Sequence, residues 1–330
     1  MHLPFPINAR ENNIMTRLKN VVCLGGGNAM PKAVLTGLKK YPIRLSVICA
    51  MLDSGGSAGR LREDYKIVSP GDIRRALLAL ADTSPILENL FNYRFEMGEL
   101  RGHNFANLFI TALELVTNDY ERTINEVRRI LKVKHEVLPS TLEKANLYAV
   151  LQNGKTIIGE TNIDIPKHDG NIKIKSVYLK PEANVFPRSA EAIKKADLIV
   201  IGPGDLYSSL AQVLLTKGMK EAIKASKGKK VMVCNLMTKH GETDNFTVLD
   251  FSQETEKYLG SALDCVIYNR AKPAPERLKK FKDSHKELIE MVRVDKKLPR
   301  DRFIGKDLLI KTGPIEHDPL KVAKALMDLL

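Results

Sequence analysis

Tryptophan is missing from the 330 residues, and aromatic residues of all kinds make up only 6%. A chain with a formal net charge of +13 raises the question of nucleic acid. Yet there is no aromatic RNA-binding motif and no helix-turn-helix pattern. The basic excess is also spread out: Arg10, Arg17, Lys19, Lys32, Lys39, Lys40 and Arg44 stand against Glu11 alone in the first 44 residues, and further surplus lies in the last third. A basic, solvated surface that suits an anionic small ligand is the simpler reading, with no nucleic-acid partner expected. No apolar run approaches the roughly 18 to 20 residues that cross a bilayer, and MHLPFPINARENN lacks the basic-then-apolar layout of a signal peptide. The expectation is a cytoplasmic protein with no membrane insertion. Cysteine is scarce too. Cys23, Cys49, Cys234 and Cys265 each sit inside an apolar β-type run, as small buried hydrophobes do, which argues against disulfide or metal roles. Low-complexity tracts and internal repeats are likewise absent.

What is present is alternation. Strand-like runs interleave with helix-like ones, the pattern of an α/β, Rossmann-like, mostly parallel sheet covered by helices. NVVCL leads through GGGNAM into PKAVLTGLKK, where Pro31 suits a first helical turn. RLSVICAML follows, then DIRRALLALAD, whose spacing puts Ile73, Leu77, Leu78 and Ala81 on one face. Between about residues 133 and 180 the texture changes to a small β-rich insertion, with a hairpin turn at Asn153-Gly154. The rhythm returns with DLIVIGPGD, KKVMVCNLM, DCVIYN and a closing helix, PLKVAKALMDLL. Residues 1–19 read as an N-terminal tail, with Met15 a second possible start, and 20–330 as one domain.

In such sheets ligands sit beyond the carboxyl ends of the strands. Gly25, Gly26, Gly27, Asn28 and Lys32 form either a phosphate loop, open to close anion approach because glycine has no Cβ, or a tight structural turn. The dinucleotide fingerprint is incomplete, since Met30 stands where its third glycine belongs. MLDSGGSAGRLRED comes next. Asp53 there can meet a ribose hydroxyl, hold Mg²⁺ or close a turn. Ser54, Gly55, Gly56 and Ser57 let an anion close, and Arg60 and Arg62 offer it charge-assisted bonds. Asp72 most simply caps a helix starting at Ile73, with Arg74 one turn in. His103, Asn104 and Asn107 gather at another helix start. Gly202, Pro203, Gly204, Asp205 and Ser208, then Asn235, Thr238, Glu242 and Thr243, end two further strands. Together these loops form a pocket for a long, polar, multiply anionic ligand such as a nucleotide diphosphate. A classical NAD dehydrogenase is weakened by the broken fingerprint and the lack of an evident hydride-transfer pair.

GGGNAMPKAVLTGLKK, DSGGSAGRLRED, SPGDIRRALLALAD, LFNYRF, GHNFANLF, GPGDLYSS and CNLMTKHGET, in that order over most of residues 20 to 270, resemble the gluconeogenesis-factor (YvcK-like) family, in the superfamily of 2-phospho-L-lactate transferase (CofD-like). The resemblance implies a Rossmann-like protein that binds a nucleotide ligand, a UDP-sugar such as UDP-N-acetylglucosamine or NAD(P). It also implies regulation of central carbon use and of cell-envelope growth and cell shape, with no established reaction. The alternative is a Mg²⁺-dependent phospho-group transferase in which Asp53, as catalytic residue and metal ligand, assists attack on a diphosphate by an acceptor hydroxyl. A homo-oligomer, a dimer, is expected. Two departures stand out: GGGNAMPK replaces the usual GGGTG, with Pro31-Lys32 resembling the transferase branch, and Asp205 stands where the family commonly has Ser, an extra carboxylate to repel phosphate or recruit a metal.

Overall fold

A computed structural model describes residues 17–330, so Met15 and most of the expected tail lie outside the described residues. In chain order the strands are β1 (Asn20–Gly25), β2 (Arg44–Cys49), β3 (Glu136–Pro139), β4 (Asn146–Leu151), β5 (Thr156–Ile158), β6 (Ile174–Lys180), β7 (Leu198–Ile201), β8 (Lys229–Val233), β9 (Met237–Lys239), β10 (Cys265–Asn269), β11 (Leu288–Met291) and β12 (Phe303–Lys306). Seven of them make one sheet in the order β12-β10-β8-β7-β1-β2-β3. Every pairing in it is parallel.

A parallel sheet covered on both faces needs strands that are apolar at every position, because successive side chains point to opposite sides. β1 shows this directly: Val22 and Leu24 enter one core with Ile199 and Ile201, while Val21 and Cys23 enter the other with Leu198 and Val200. The second core is closed by the helices Gly71–Leu80, Phe105–Thr117 and Pro319–Met327. The first is closed by Met219–Ala225 and Val248–Leu259. All four cysteines are buried and free, and burial raises their thiols above the ordinary range, as expected of inert core residues.

Three corrections to the expectations follow. β3 pairs with β2 in the main sheet, so the β-rich insertion does not begin near 133; it is the small antiparallel sheet β5-β4-β6, from Asn146 onward. Its hairpin does turn at Asn153-Gly154, with Gly154 at positive φ. The helix Gly71–Leu80 fully buries Ile73 and Leu77 of the expected face together with Ala76 and Leu80, while Leu78 and Ala81 are only partly buried against the same core, Ala81 lying beyond the helix end. Asp72 lies inside that helix, whose N-cap is Pro70 with no side-chain cap, so Asp72 is free for another task.

Candidate functional site

From β1 the chain builds outward through β2 to β3, then returns and builds the other way through β7, β8, β10 and β12. The reversal lies between β1 and β7, and their two following loops part to leave a crevice there, the ligand position of open α/β sheets. The Gly202 amide donates to the Leu24 carbonyl at 3.1 Å, and a Cβ on Gly204 would stand 3.5 Å from the Gly26 carbonyl oxygen. The glycine-rich loops expected to share one ligand are therefore side by side. A cavity of about 1040 Å³ opens over them.

Its floor comes from four adjacent strand ends. Gly26, Gly27, Asn28 and Lys32 follow β1; Asp53, Gly55 and Gly56 follow β2; Pro203, Gly204 and Asp205 follow β7; Asn235 follows β8. Asn235 ties two of these loops together, since its side chain donates to the Gly204 carbonyl at 2.9 Å and accepts the Gly204 amide at 3.2 Å. Asp72 reaches the cavity too. Its carboxylate accepts the Gly27 amide at 2.9 Å and is clamped by Arg75, so it shapes the glycine loop instead of capping a helix.

Other expected residues stand outside the lining. Gly25 ends β1, and Gly202 sits below the crevice. Ser54 packs on the short helix Glu160–Asp164, its hydroxyl 3.0 Å from that of Thr161. Glu242 is buried and accepts the Tyr207 amide, the Ser208 amide and the Ser208 hydroxyl, holding the turn Leu206–Ala211 from behind. Thr243 accepts the Lys239 amide, and Thr238 donates to the Glu290 carbonyl. The two arginines expected to grip phosphate do not line the cavity. Arg62 donates to the carbonyls of Leu52 and Ala145, tying the loop after β2 to the start of β4, and Arg60 donates to the Arg101 carbonyl. The two guanidinium groups leave the helix Gly56–Tyr65 in different directions, Arg60 towards Arg101 and Arg62 towards the loop after β2, within the field of Asp53 and Glu160. Ser57, His103, Asn104 and Asn107 gather on the Arg60 side, with Asn104 capping Phe105–Thr117. Arg74 also stands outside the lining.

In place of Arg60 and Arg62 the cavity holds Arg75 and Lys239. Arg75 stands between Asp72 and Asp53, 3.9 Å from the latter. Glu160 completes this lobe. Burial, followed by the charges of Asp53 and Asp164, pushes its carboxyl up to about 8, and burial likewise raises Asp53. In the neighbouring lobe Lys239 is buried, paired with Asp164, with Asp205 at 3.0 Å and with Glu242 at 3.3 Å. Burial alone would lower its pKa, but those three carboxylates outweigh it and hold the ammonium charged. The added carboxylate at Asp205 is thus answered by an internal cation. The oxygens of Asp164, Asp205 and Glu242 lie close enough for a metal, but the Lys239 ammonium already sits among them. Glu160, Asp164 and Lys239 were missed because ordinary charged residues in GETNID and MTKH carry no glycine signal. Arg75 was passed over for its neighbour in DIRR, the two lying on different helix faces.

A third wall comes from the C-terminal part, which offered no motif at all. Phe281, stacked on His285 at 4.2 Å, lines the cavity with Leu288, Ile315 and His317. His317 is buried, its Nε2 has no partner, and burial lowers its pKa to about 4.

Comparison with known proteins agrees with this geometry. The family model described as 2-phospho-L-lactate transferase CofD matches residues 21–307. The chain is 39% identical over 320 residues to a putative gluconeogenesis factor of Aquifex aeolicus, covering 94% of this chain and 96% of that one. It is 34% identical over 324 residues to the gluconeogenesis factor of Bacillus subtilis, covering 96% and 99%. A crystal structure of a UPF0052 family member from Bacillus halodurans superposes with a TM-score of 0.86 at 36% identity, covering 94% of this chain and 99% of that one. The order of the motifs, the switch-point crevice and these full-length matches lead to one assignment: the chain belongs to the CofD family, among its gluconeogenesis factors.

Proposed function

We propose that the crevice binds a nucleotide ligand carrying a diphosphate, a UDP-sugar or NAD(P), and that the protein works by binding it, as a regulator of central carbon metabolism and cell-envelope growth. The single observation that supports this most is the placement of the loops after β1 and β7 on either side of the switch point, over one cavity. At about 1040 Å³ the cavity has room for a ligand of nucleotide-sugar or dinucleotide size. Arg75 supplies a charge-assisted donor, Asp53 an acceptor for ribose hydroxyls, and the Phe281 wall an apolar face.

Native mass spectrometry of the protein as purified tests the reading, because a retained nucleotide shows its own mass. Retention or micromolar titration of a UDP-sugar or dinucleotide is expected. Failure of every nucleotide to bind would sink it. The assembly proposed is a homodimer; exposed apolar side chains such as Ile86, Met97 and Val116 favour it, and light scattering reads it directly.

One observation favours the transferase alternative. The Asp53 charge adds to burial in raising Glu160, and a divalent cation between the two carboxylates would relieve that repulsion. These two residues fit Mg²⁺, whereas the Asp164 cluster, filled by Lys239, does not. When bound, the ion would supply charge neutralisation at a diphosphate. Mg²⁺-dependent release of nucleoside phosphate by wild type, lost in Asp53→Asn, would favour turnover. Binding that is modestly weaker in Asp53→Asn and indifferent to Mg²⁺ is the result expected of a regulator.

A further inference from the structure

We propose that the junction where the first turn of helix Gly56–Tyr65 meets the start of helix Phe105–Thr117 is a second anion site for a phosphoryl or carboxylate group of a small ligand. The inference stands apart from the nucleotide reading.

Ser57 is its hinge pin. Its hydroxyl accepts the Asn104 amide at 3.1 Å and the Asn107 side-chain amide at 3.3 Å, and lies 3.2 Å from His103 Nδ1. Two helix N-termini, each with its partial positive charge, are thereby held together. Around them stand three arginines from three different segments. Arg60 donates to the Arg101 carbonyl at 3.0 Å and Arg94 to the Gly102 carbonyl at 2.6 Å. Each of these guanidinium groups has five N–H donors and spends one here. Arg74 rises from the neighbouring helix with its Nε buried and unpartnered.

The charges are unbalanced. Among the described residues no carboxylate pairs with Arg60, Arg74 or Arg94. Asp64 is an acid near His103, and it makes no ion pair. The basic groups press on one another: burial, then Arg75 and Arg94, bring Arg74 down to about 10, and burial, then Arg60, lower His103. Asp72 and Asp53 act on Arg74, and Asp64 on His103, from beyond ion-pair distance. Like charges gathered by three segments beside two helix N-termini, with no carboxylate in direct contact, are what an oxyanion stabilises. The Asn107 side-chain carbonyl, buried and also unpartnered, lies at the same junction.

The test is thermal denaturation and calorimetric titration of the full chain with inorganic phosphate, against chloride at matched ionic strength. Phosphate is expected to raise the unfolding midpoint saturably where chloride does not. In the double variant Arg60→Gln, Arg94→Gln the half-saturating concentration should rise about tenfold or more, one charge-assisted bond being sufficient for that. Both side chains are exposed, so the variant keeps its fold. Arg74→Gln should weaken the response likewise, whereas the cavity variant Lys32→Gln should leave it intact. Acetate in place of phosphate distinguishes the two sources: an equal response identifies a carboxylate, no response a phosphoryl group. Equal effects of phosphate, acetate and chloride overturn the proposal, and so does a response that survives in the double variant and disappears in Lys32→Gln.

Discussion

At the scale of the residue, two arginines with similar neighbours in sequence have opposite employment. Arg62 satisfies the main-chain carbonyls of Leu52 and Ala145 and touches Asn146, so it is a brace between the loop after β2 and the small sheet. Arg62→Ala leaves those acceptors short of a donor, and a loss of about 1 to 3 kcal/mol in unfolding free energy is expected. Nucleotide affinity of the folded protein should not change, which titration calorimetry below the new midpoint will show. Arg75 is the reverse case. It separates the Asp72 and Asp53 carboxylates and is the cation within reach of a phosphate in that lobe. Arg75→Ala removes a charge-assisted bond and leaves two acids facing the ligand, so affinity should fall on the order of ten- to a hundredfold. An unchanged titration would move the phosphate elsewhere in the cavity.

At the scale of the element, the glycine loop shows how closely main chain and acid fit. A Cβ on Gly26 would fall on the Asp72 carboxylate and come within 2.9 Å of the Ala50 Cβ. Gly26→Ala therefore forces Asp72 off the Gly27 amide and away from Arg75. Overpacking of this kind costs about 1 to 3 kcal/mol, and the loss of the loop's shape should abolish nucleotide binding even where circular dichroism reports a native fold. Such elements were legible in different degrees. β1, β2, β7 and β8 were plain, because strands buried on both faces must be apolar throughout, and the loops at their carboxyl ends carried glycine. The helix Glu160–Asp164 was not legible. Four polar residues around the single buried Ile163 have no hydrophobic period, and the turn is held by Ser54 and Thr161 bonding across from the loop after β2. The Phe281 wall was invisible for the same reason: its residues belong to the cavity through tertiary packing, with no spacing among them to notice. Asp72 misled because an acid near a helix start is usually a cap, and here a glycine amide claimed it first.

At the scale of the whole molecule, a chain of net charge +13 encloses a cavity rich in carboxylates, and pH should reveal the contrast. Glu160 is pushed up to about 8 from an ordinary 4.5, chiefly by burial. A carboxyl with a raised folded-state pKa holds its proton where the unfolded chain has released it. Its contribution is complete below about 4.5 and is lost as pH rises towards 8. Glu114, raised to about 7 by burial, acts in the same direction over a shorter range. His317 opposes them: lowered to about 4 by burial, it is neutral when folded, so its contribution is lost as pH falls from about 6.5 to 4. Above about 6.5 the carboxyls act unopposed by His317, and the unfolding midpoint should drop between pH 6.5 and 8. Glu160→Gln should flatten that slope and raise the midpoint at pH 8. The same proton distinguishes the two ligand chemistries. If the cavity takes a nucleotide without metal, protonating Glu160 removes a repelling charge, and affinity should rise as pH falls from 8.5 to 6.5, with Glu160→Gln tight and insensitive to pH. If Asp53 and Glu160 hold Mg²⁺ beneath a diphosphate, the ionised form is the competent one. Affinity in Mg²⁺ should then fall over that interval, and Glu160→Gln should bind weakly at every pH. The regulatory reading expects the first pattern, and titrations at three pH values with and without Mg²⁺ separate it from the second.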